Sequence, residues 1–160
     1  MSNRTFANLE YKKRIKKAKK IADILGSKMN LKGLRVLDIG TGSGVCADYF
    51  ANNVVGPEGF VAAVDVRDQR LLKNSYQFEI VEGVSLPFNN NSFDIVISNH
   101  VIEHLSSHID QLAHLKEISR VLKNSGILYL AYPNKYALFE PHYKLPFLSW
   151  LPQGFADKYI

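Results

Sequence analysis

The chain has 160 residues, 46% hydrophobic and 22% charged, which suits one globular domain and excludes collagenous, disordered and disulfide-stapled classes. Its single cysteine, Cys46, has no partner for an internal disulfide, and no apolar run nears the ~20 residues needed to cross a bilayer, so a cytoplasmic location is expected. The formal net charge of +5 is local: residues 12–20 (KKRIKKAKK) hold seven basic groups, and the rest of the chain has 13 basic against 15 acidic residues. A whole-surface grip on phosphates is therefore disfavoured, although one basic face could meet an anionic partner or a membrane surface. Ile21 to Leu25, interrupted by Asp23, is too short for a signal-peptide core, so the start of the chain is expected to persist in the mature protein.

In chain order, Ile15, Ala18, Ala22, Leu25 and Met29 recur at three- and four-residue steps among lysines, the period of an amphipathic helix with one docking face. Gly33 introduces Arg35 to Ile39, a short β-branched run ending at a glycine cluster, as a buried parallel strand does. Further strands are expected at Phe60 to Val66, Phe78 to Val81, Asp94 to Ser98 and Gly126 to Tyr132, with helices at Val45 to Asn52 and Ile109 to Leu122. Alternating strands and helices imply right-handed crossovers, a mainly parallel sheet, and ligand binding at the carboxyl ends of the strands near the topological switch point.

The most informative stretch is Val36 to Gly44, VLDIGTGSG. A hydrophobic strand ends in an acid, and glycines at 40, 42 and 44 precede a helix. Such glycines permit positive φ and remove side chains where a ligand presses on the backbone, while the helix start offers free N–H groups. A purely structural turn would need fewer of them. The dinucleotide fingerprint requires G-x-G-x-x-G, whereas the spacing here is G-x-G-x-G. Asp38 sets a carboxylate at the mouth of the first strand, which welcomes an ammonium and repels a pyrophosphate.

These residues resemble the first motif of the class I S-adenosylmethionine-dependent methyltransferases. The resemblance extends to Asp65 at the end of the second strand, where the family's acid holds the ribose hydroxyls with both carboxylate oxygens. It continues through Glu82-Gly83-Val84-Ser85-Leu86-Pro87-Phe88, similar to the adenine-lining stretch, with Leu86 and Phe88 as walls of the base. Ser92 to Leu105 (SFDIVISNHVIEHL) resembles the fourth-strand motif of the subgroup that includes quinone-biosynthesis and many small-molecule or lipid methyltransferases. Arg120 to Gly126 resembles the family's turn into its fifth strand. The matched segments run from about residue 33 to 134.

The resemblance implies a Rossmann-like α/β fold with a mainly parallel sheet of about five strands in the order 3-2-1-4-5, helices on both faces, and the family's last two strands missing. It implies one domain over 1–160: a basic amphipathic helix over 1–30, a core over 33–134 and an irregular aromatic cover over 135–160. It implies S-adenosyl-L-methionine as cofactor, held by Asp38, Gly40, Thr41, Gly42, Ser43, Gly44, Asp65, Val66, Glu82, Gly83, Val84, Asn99 and His100. The implied reaction is an SN2 transfer of a methyl group to a small-molecule or lipid-like acceptor. Placement of the reactants then supplies ~7 kcal/mol or more, and His100 or His104 is available as general base for an acidic acceptor. Phe139, His142, Tyr143, Phe147 and Trp150 could line the acceptor pocket or only cover the sheet end.

Two departures from the family pattern carry expectations. The interval from Asp65 to Phe78 is short, so its crossover helix should have one or two turns and the adenine pocket a thin wall. With the family's last two strands missing, either the sequence is a truncated form or a second copy or partner chain covers the exposed edge of the fifth strand. His100, Glu103 and His104 also spell H-x-x-E-H, a zinc signature that needs both histidines on one helix, whereas His100 directly follows a strand, so no metal is expected. His104 is open to two readings, a buried histidine bonded to backbone or a group near the acceptor. Besides methyl transfer, the sequence leaves a non-catalytic cofactor-binding protein and a nucleic-acid methyltransferase guided by the basic helix. The latter lacks an Asn-Pro-Pro-aromatic or Asp-Pro-Pro-aromatic motif after the fourth strand.

Overall fold

A computed structural model describes residues 2–132, with side chains from Glu10 onward. The aromatic cover expected over 135–160, with Phe139, His142, Tyr143, Phe147 and Trp150, lies outside the described residues. The elements in order are α1 (Ser2–Gly26), β1 (Arg35–Ile39), α2 (Val45–Tyr49) with a π-helical turn (Phe50–Val54), β2 (Phe60–Asp65), β3 (Gln77–Ile80), β4 (Phe93–Asn99), a 3-10 turn (Ile102–His104), α3 (His108–Val121) and β5 (Leu122–Ala131). Among the described residues the sheet has five strands, ordered β3-β2-β1-β4-β5, and every pairing is parallel. This is the expected fold and order.

Both faces of the sheet are covered, which is why its strands read as unbroken apolar runs. Val36, Val61, Ala63, Ile95 and Ile97 point into a layer with Ile21 and Leu25 of α1 and with Ala47 and Phe50. The alternate residues Leu37, Ala62, Val64 and Val96, joined by Phe93 before the irregularity in β4, meet Ile118 and Val121 of α3 and Leu86. Among the described residues, no helix is long and apolar enough to cross a membrane.

Several local expectations need correction. Helix α1 ends at Gly26, so Met29 follows the helix rather than extending it. The helix expected over Val45 to Asn52 is five residues of α2 and then the π-helical turn, which turns Phe50 and Val54 into the core. No crossover helix joins β2 to β3. Eleven residues must return the chain past a strand of roughly 20 Å, and at 1.5 Å per residue a helix would cover ~16 Å with nothing left for the two corners. The segment runs irregularly instead, held by Leu71 N–H donating to Ser43 O at 2.9 Å and by Arg70, paired with Asp68 and stacked 3.7 Å over the Phe78 ring.

Of the turn expected over Arg120 to Gly126, Arg120 and Val121 end α3 and the rest belongs to β5. Its pairing with β4 is irregular there, jumping from Phe93–Leu122 to Ile95–Ile127. A Cβ on Gly126 would lie 2.6 Å from a Leu122 methyl and 2.9 Å from Asp94 O, so only glycine fits this crossing.

Candidate functional site

Strands β1 and β4 are neighbours whose following loops leave in opposite directions, which opens a crevice at their carboxyl ends. Two cavities occupy it. One, of about 410 Å³, lies between α1 and the glycine loop and is lined by Arg14, Lys17, Asp38, Gly40, Thr41, Gly42, Ser43, Asn99 and His100, among others. The other, of about 560 Å³, lies on the β2 and α3 side and is lined by Asp65, Val66, Gly83, Val84, Leu86, His100, Val101, His104 and His114, among others. Gly40 and His100 line both, so the two chambers meet at the switch point.

The loop after β1 is built on left-handed glycines, with φ of 68° at Gly40, 55° at Gly42 and 76° at Gly44. Gly40 N–H donates to Val64 O at 2.9 Å, and Gly42 N–H donates to Asp65 Oδ2 at 2.7 Å, which ties the loop to the end of β2. The glycines differ in purpose. A Cβ on Gly42 would meet nothing within 4 Å, so this glycine faces the open cavity. Gly44 lines neither cavity: its Cα lies beneath the Tyr76 hydroxyl and Leu72 O, so it admits the crossover segment rather than a ligand.

Asp38 is buried beneath this loop and accepts the Thr41 hydroxyl at 2.6 Å. Burial pushes its carboxyl up to about 7, opposed by the Thr41 hydrogen bond and reinforced by Asp65. Asn99 at the end of β4 buries an Oδ1 that has no partner among the described residues. Asp38 and Asn99 thus offer two acceptors to one cavity, where a ligand ammonium would restore both to a favourable state. Arg14 Nη1 donates to Ser43 Oγ at 3.2 Å, and burial holds the Lys17 amine below its ordinary range. Reading residues 12–20 as an outward basic face missed this. The apolar period had signalled it, because Arg14 and Lys17 flank the buried Ala18.

Asp65 lines the second cavity, and its Oδ1 accepts Val66 N–H at 2.8 Å. Each carboxylate oxygen keeps a further lone pair for a ligand hydroxyl. Gly83, Val84 and Leu86 line this chamber, whereas Glu82 is exposed and lines neither. Phe88, expected to wall the base, packs edge-to-face on Phe93 at 4.9 Å within the core. The segment is pinned from behind, where Arg120 donates to Leu86 O at 2.9 Å and to Phe88 O at 2.6 Å.

His100 follows β4 with φ of 58°, a left-handed non-glycine position of the kind found at functional turns. Its N–H donates to Ala131 O, and its Nδ1 lies 2.8 Å from Glu103 Oε1. The carboxylate accepts a hydrogen bond from Nδ1–H, which leaves Nε2 as the acceptor of a neutral ring. His104 sits in the 3-10 turn, exposed and lining the cavity, so it is not the buried histidine considered from the sequence. The buried histidine is instead His114 of α3, which sequence reasoning did not single out: it is 2% exposed and lies 3.0 Å from Ser98 Oγ, a side-chain rather than a backbone partner. Its only signal was a polar residue on the apolar face of a helix. Because His100 precedes the turn that holds His104, no helix carries both, and among the described residues no cluster of three or more His, Cys, Asp or Glu could hold a metal ion.

A parallel sheet of this order, with a glycine loop and an acid at the ends of its first two strands, defines a Rossmann-like nucleoside-binding domain. The chain belongs to the family described as "Methyltransferase domain", which matches residues 37–130, and its resemblance to the class I S-adenosylmethionine-dependent methyltransferases is borne out. It is 28% identical over 144 residues to a "Ubiquinone biosynthesis O-methyltransferase" of Pelagibacter ubique, covering 84% of this chain and 58% of that one. It is 31% identical over 137 residues to a "Demethylmenaquinone methyltransferase" of Staphylococcus saprophyticus, covering 78% and 56%. Among solved structures, a SAM-dependent methyltransferase from Aquifex aeolicus superposes with a TM-score of 0.57 at 25% identity, covering 71% of this chain and 70% of that one. The chain thus spans somewhat over half the length of these curated relatives.

The family's cofactor, S-adenosyl-L-methionine, suits the residues present. Asp38 and the orphaned Asn99 Oδ1 suit its ammonium, Arg14 and Lys17 its carboxylate, the open space over Gly42 its arm, and Asp65 its ribose.

Proposed function

We propose that the chain is the cofactor-binding part of an S-adenosylmethionine-dependent methyltransferase acting on a hydroxyl of a small aromatic, quinone-like acceptor. The observation that carries this reading is the meeting of the two cavities at Gly40 and His100. A ligand with an amino-acid arm in one chamber and a nucleoside in the other has its central atom at that junction. The bound cofactor supplies an electrophilic methyl group on a sulfonium, open to in-line attack by a nucleophile.

The chain's own contribution is placement and proton removal. Asp38, Asn99 and Arg14 fix the arm and Asp65 fixes the ribose, so the reacting atom is presented beside His100. Glu103 orients the imidazole so that Nε2 takes the proton of an attacking hydroxyl. The names of the two curated relatives support a quinone-type acceptor, and the first also supports oxygen as the methylated atom. Lys13, Arg14 and Lys17 belong to the cavity wall, which removes part of the basic run from any nucleic-acid track.

The test is calorimetric titration with S-adenosylmethionine and S-adenosylhomocysteine, followed by label transfer from methyl-labelled cofactor to a catechol bearing an alkyl chain. Binding that is weakened at least tenfold in Asp65→Ala and Arg14→Ala, with transfer lost in His100→Ala, is expected. Absence of binding by the unaltered protein would overturn the assignment.

A further inference from the structure

Arg67, Gln69, His104 and His114 line the nucleoside cavity without a task in the cofactor reading, and His114 alone of these four is buried. It projects from α3 onto the same side of the sheet as Ile39, Val64 and Leu86, which form an apolar floor beneath the chamber. Glu82, expected among the residues that hold the cofactor, lies outside that lining. The imidazole is 2% exposed yet lines the cavity, and its Nε2 is anchored 3.0 Å from Ser98 Oγ on β4. Ser98 is fully buried, and its hydroxyl has no other hydrogen-bond partner among the described residues. Its proton therefore goes to Nε2, and the ring proton sits on Nδ1. Nδ1 takes part in no side-chain hydrogen bond among the described residues, and the ring that carries it lines the cavity. Burial also keeps the ring neutral by lowering its affinity for a second proton.

We propose that His114 is a specificity-determining residue of the cofactor site, its Nδ1–H donating a hydrogen bond to a ring nitrogen of the purine while Ser98 holds the tautomer. The inference rests on the reading of this chamber as the nucleoside end of the S-adenosylmethionine site. A donor at this place distinguishes a purine with an acceptor nitrogen there from one with a C–H. A site whose buried polar group is left unpaired rejects the analogue that lacks the partner.

The experiment is calorimetric titration of the unaltered protein, His114→Leu, His114→Asn and Ser98→Ala with S-adenosylhomocysteine and its 1-deaza, 3-deaza and 7-deaza analogues. Thermal melting would confirm that each variant is folded. The unaltered protein should lose about tenfold in affinity for one of the three analogues, the size of one net hydrogen bond. His114→Leu should lose about as much for S-adenosylhomocysteine but almost nothing further for that same analogue. His114→Asn, which carries an amide N–H near the position of Nδ1, should stay within about threefold of the unaltered protein, and Ser98→Ala should fall between. Equal losses for all four ligands in His114→Leu, or no loss at all, would overturn the proposal and leave the cofactor reading standing. Failure of the unaltered protein to bind S-adenosylhomocysteine would overturn both.

Discussion

Gly42 and Gly44 have left-handed backbones two residues apart, yet their Cα hydrogens face different things. Gly44→Ala would drive a methyl into the Tyr76 hydroxyl and Leu72 O, adding overpacking to backbone strain for a loss of ~2–4 kcal/mol, read from the urea midpoint. Gly42→Ala meets no atom, so its stability loss should stay near the ~1–2 kcal/mol of the backbone alone while cofactor affinity falls, because the methyl enters the cavity. Asp38 gives a pH signature at the same site. Its folded-state carboxyl titrates at about 7 because of burial, against 3.8 as the ordinary value, so the folded chain holds this proton more tightly than the unfolded one. Stability of the unliganded protein should therefore decline from about pH 4 to about pH 7 and then level off, and Asp38→Asn should lack that decline. A ligand ammonium favours the ionised carboxylate, so cofactor affinity should rise as pH climbs through about 7, with proton release visible by calorimetry in buffers of different ionisation enthalpy.

At the level of elements, the wall of the nucleoside cavity depends on α3. Glu117 accepts Leu86 N–H at 2.9 Å, and Arg120 binds Glu117 and the carbonyls of Leu86 and Phe88. One helix end thus fastens a stretch that lacks regular structure. The Arg120 hydrogen bond first, and the Leu86 N–H after it, hold the Glu117 carboxyl at about 2. Its contribution should be complete above about pH 4.5 and be lost as pH falls toward 2. Arg120→Ala removes the guanidinium donor from the carbonyls of Leu86 and Phe88 and from the Glu117 carboxylate, and a loss of ~1–3 kcal/mol is expected in denaturant titration, with weaker cofactor binding at neutral pH. Helix α1 shows the complementary case: Ala18, Ile21 and Leu25 hold it on the body, and the basic groups beside Ala18 reach the cavity as a result.

Across the whole molecule, one sheet carries two apolar layers, and only one of them underlies the nucleoside chamber. Phe93 is fully buried in that layer against Phe60 and Phe88, whereas Phe50 is fully buried in the layer beneath α1. Phe93→Ala and Phe50→Ala should each cost ~3–5 kcal/mol in chemical denaturation. Phe93→Ala should also weaken nucleoside binding, because Phe88 and the cavity-lining stretch before it lose their support. The same two-layer arrangement explains how legible the fold was. Strands buried on both faces are written as short apolar runs, so β1, β2 and β4 fall within a residue or two of their expected bounds. The crossover after β2 was not legible, because its form depends on the distance to be bridged rather than on local preference.

The sequence by itself determined the chemistry of the first two strand ends. Three alternate glycines, an acid before them and a second acid 21 residues after them are requirements of backbone conformation and charge, which a linear pattern states directly. Only the tertiary structure decided that Arg14 and Lys17 line the cavity over the glycine loop, that His114 lines the neighbouring one, and that Glu82 and Phe88 line neither. Those positions depend on how helices seat against the sheet and on which side chains the core claims first. Such packing couples residues far apart in the chain, and no spacing within one segment encodes it.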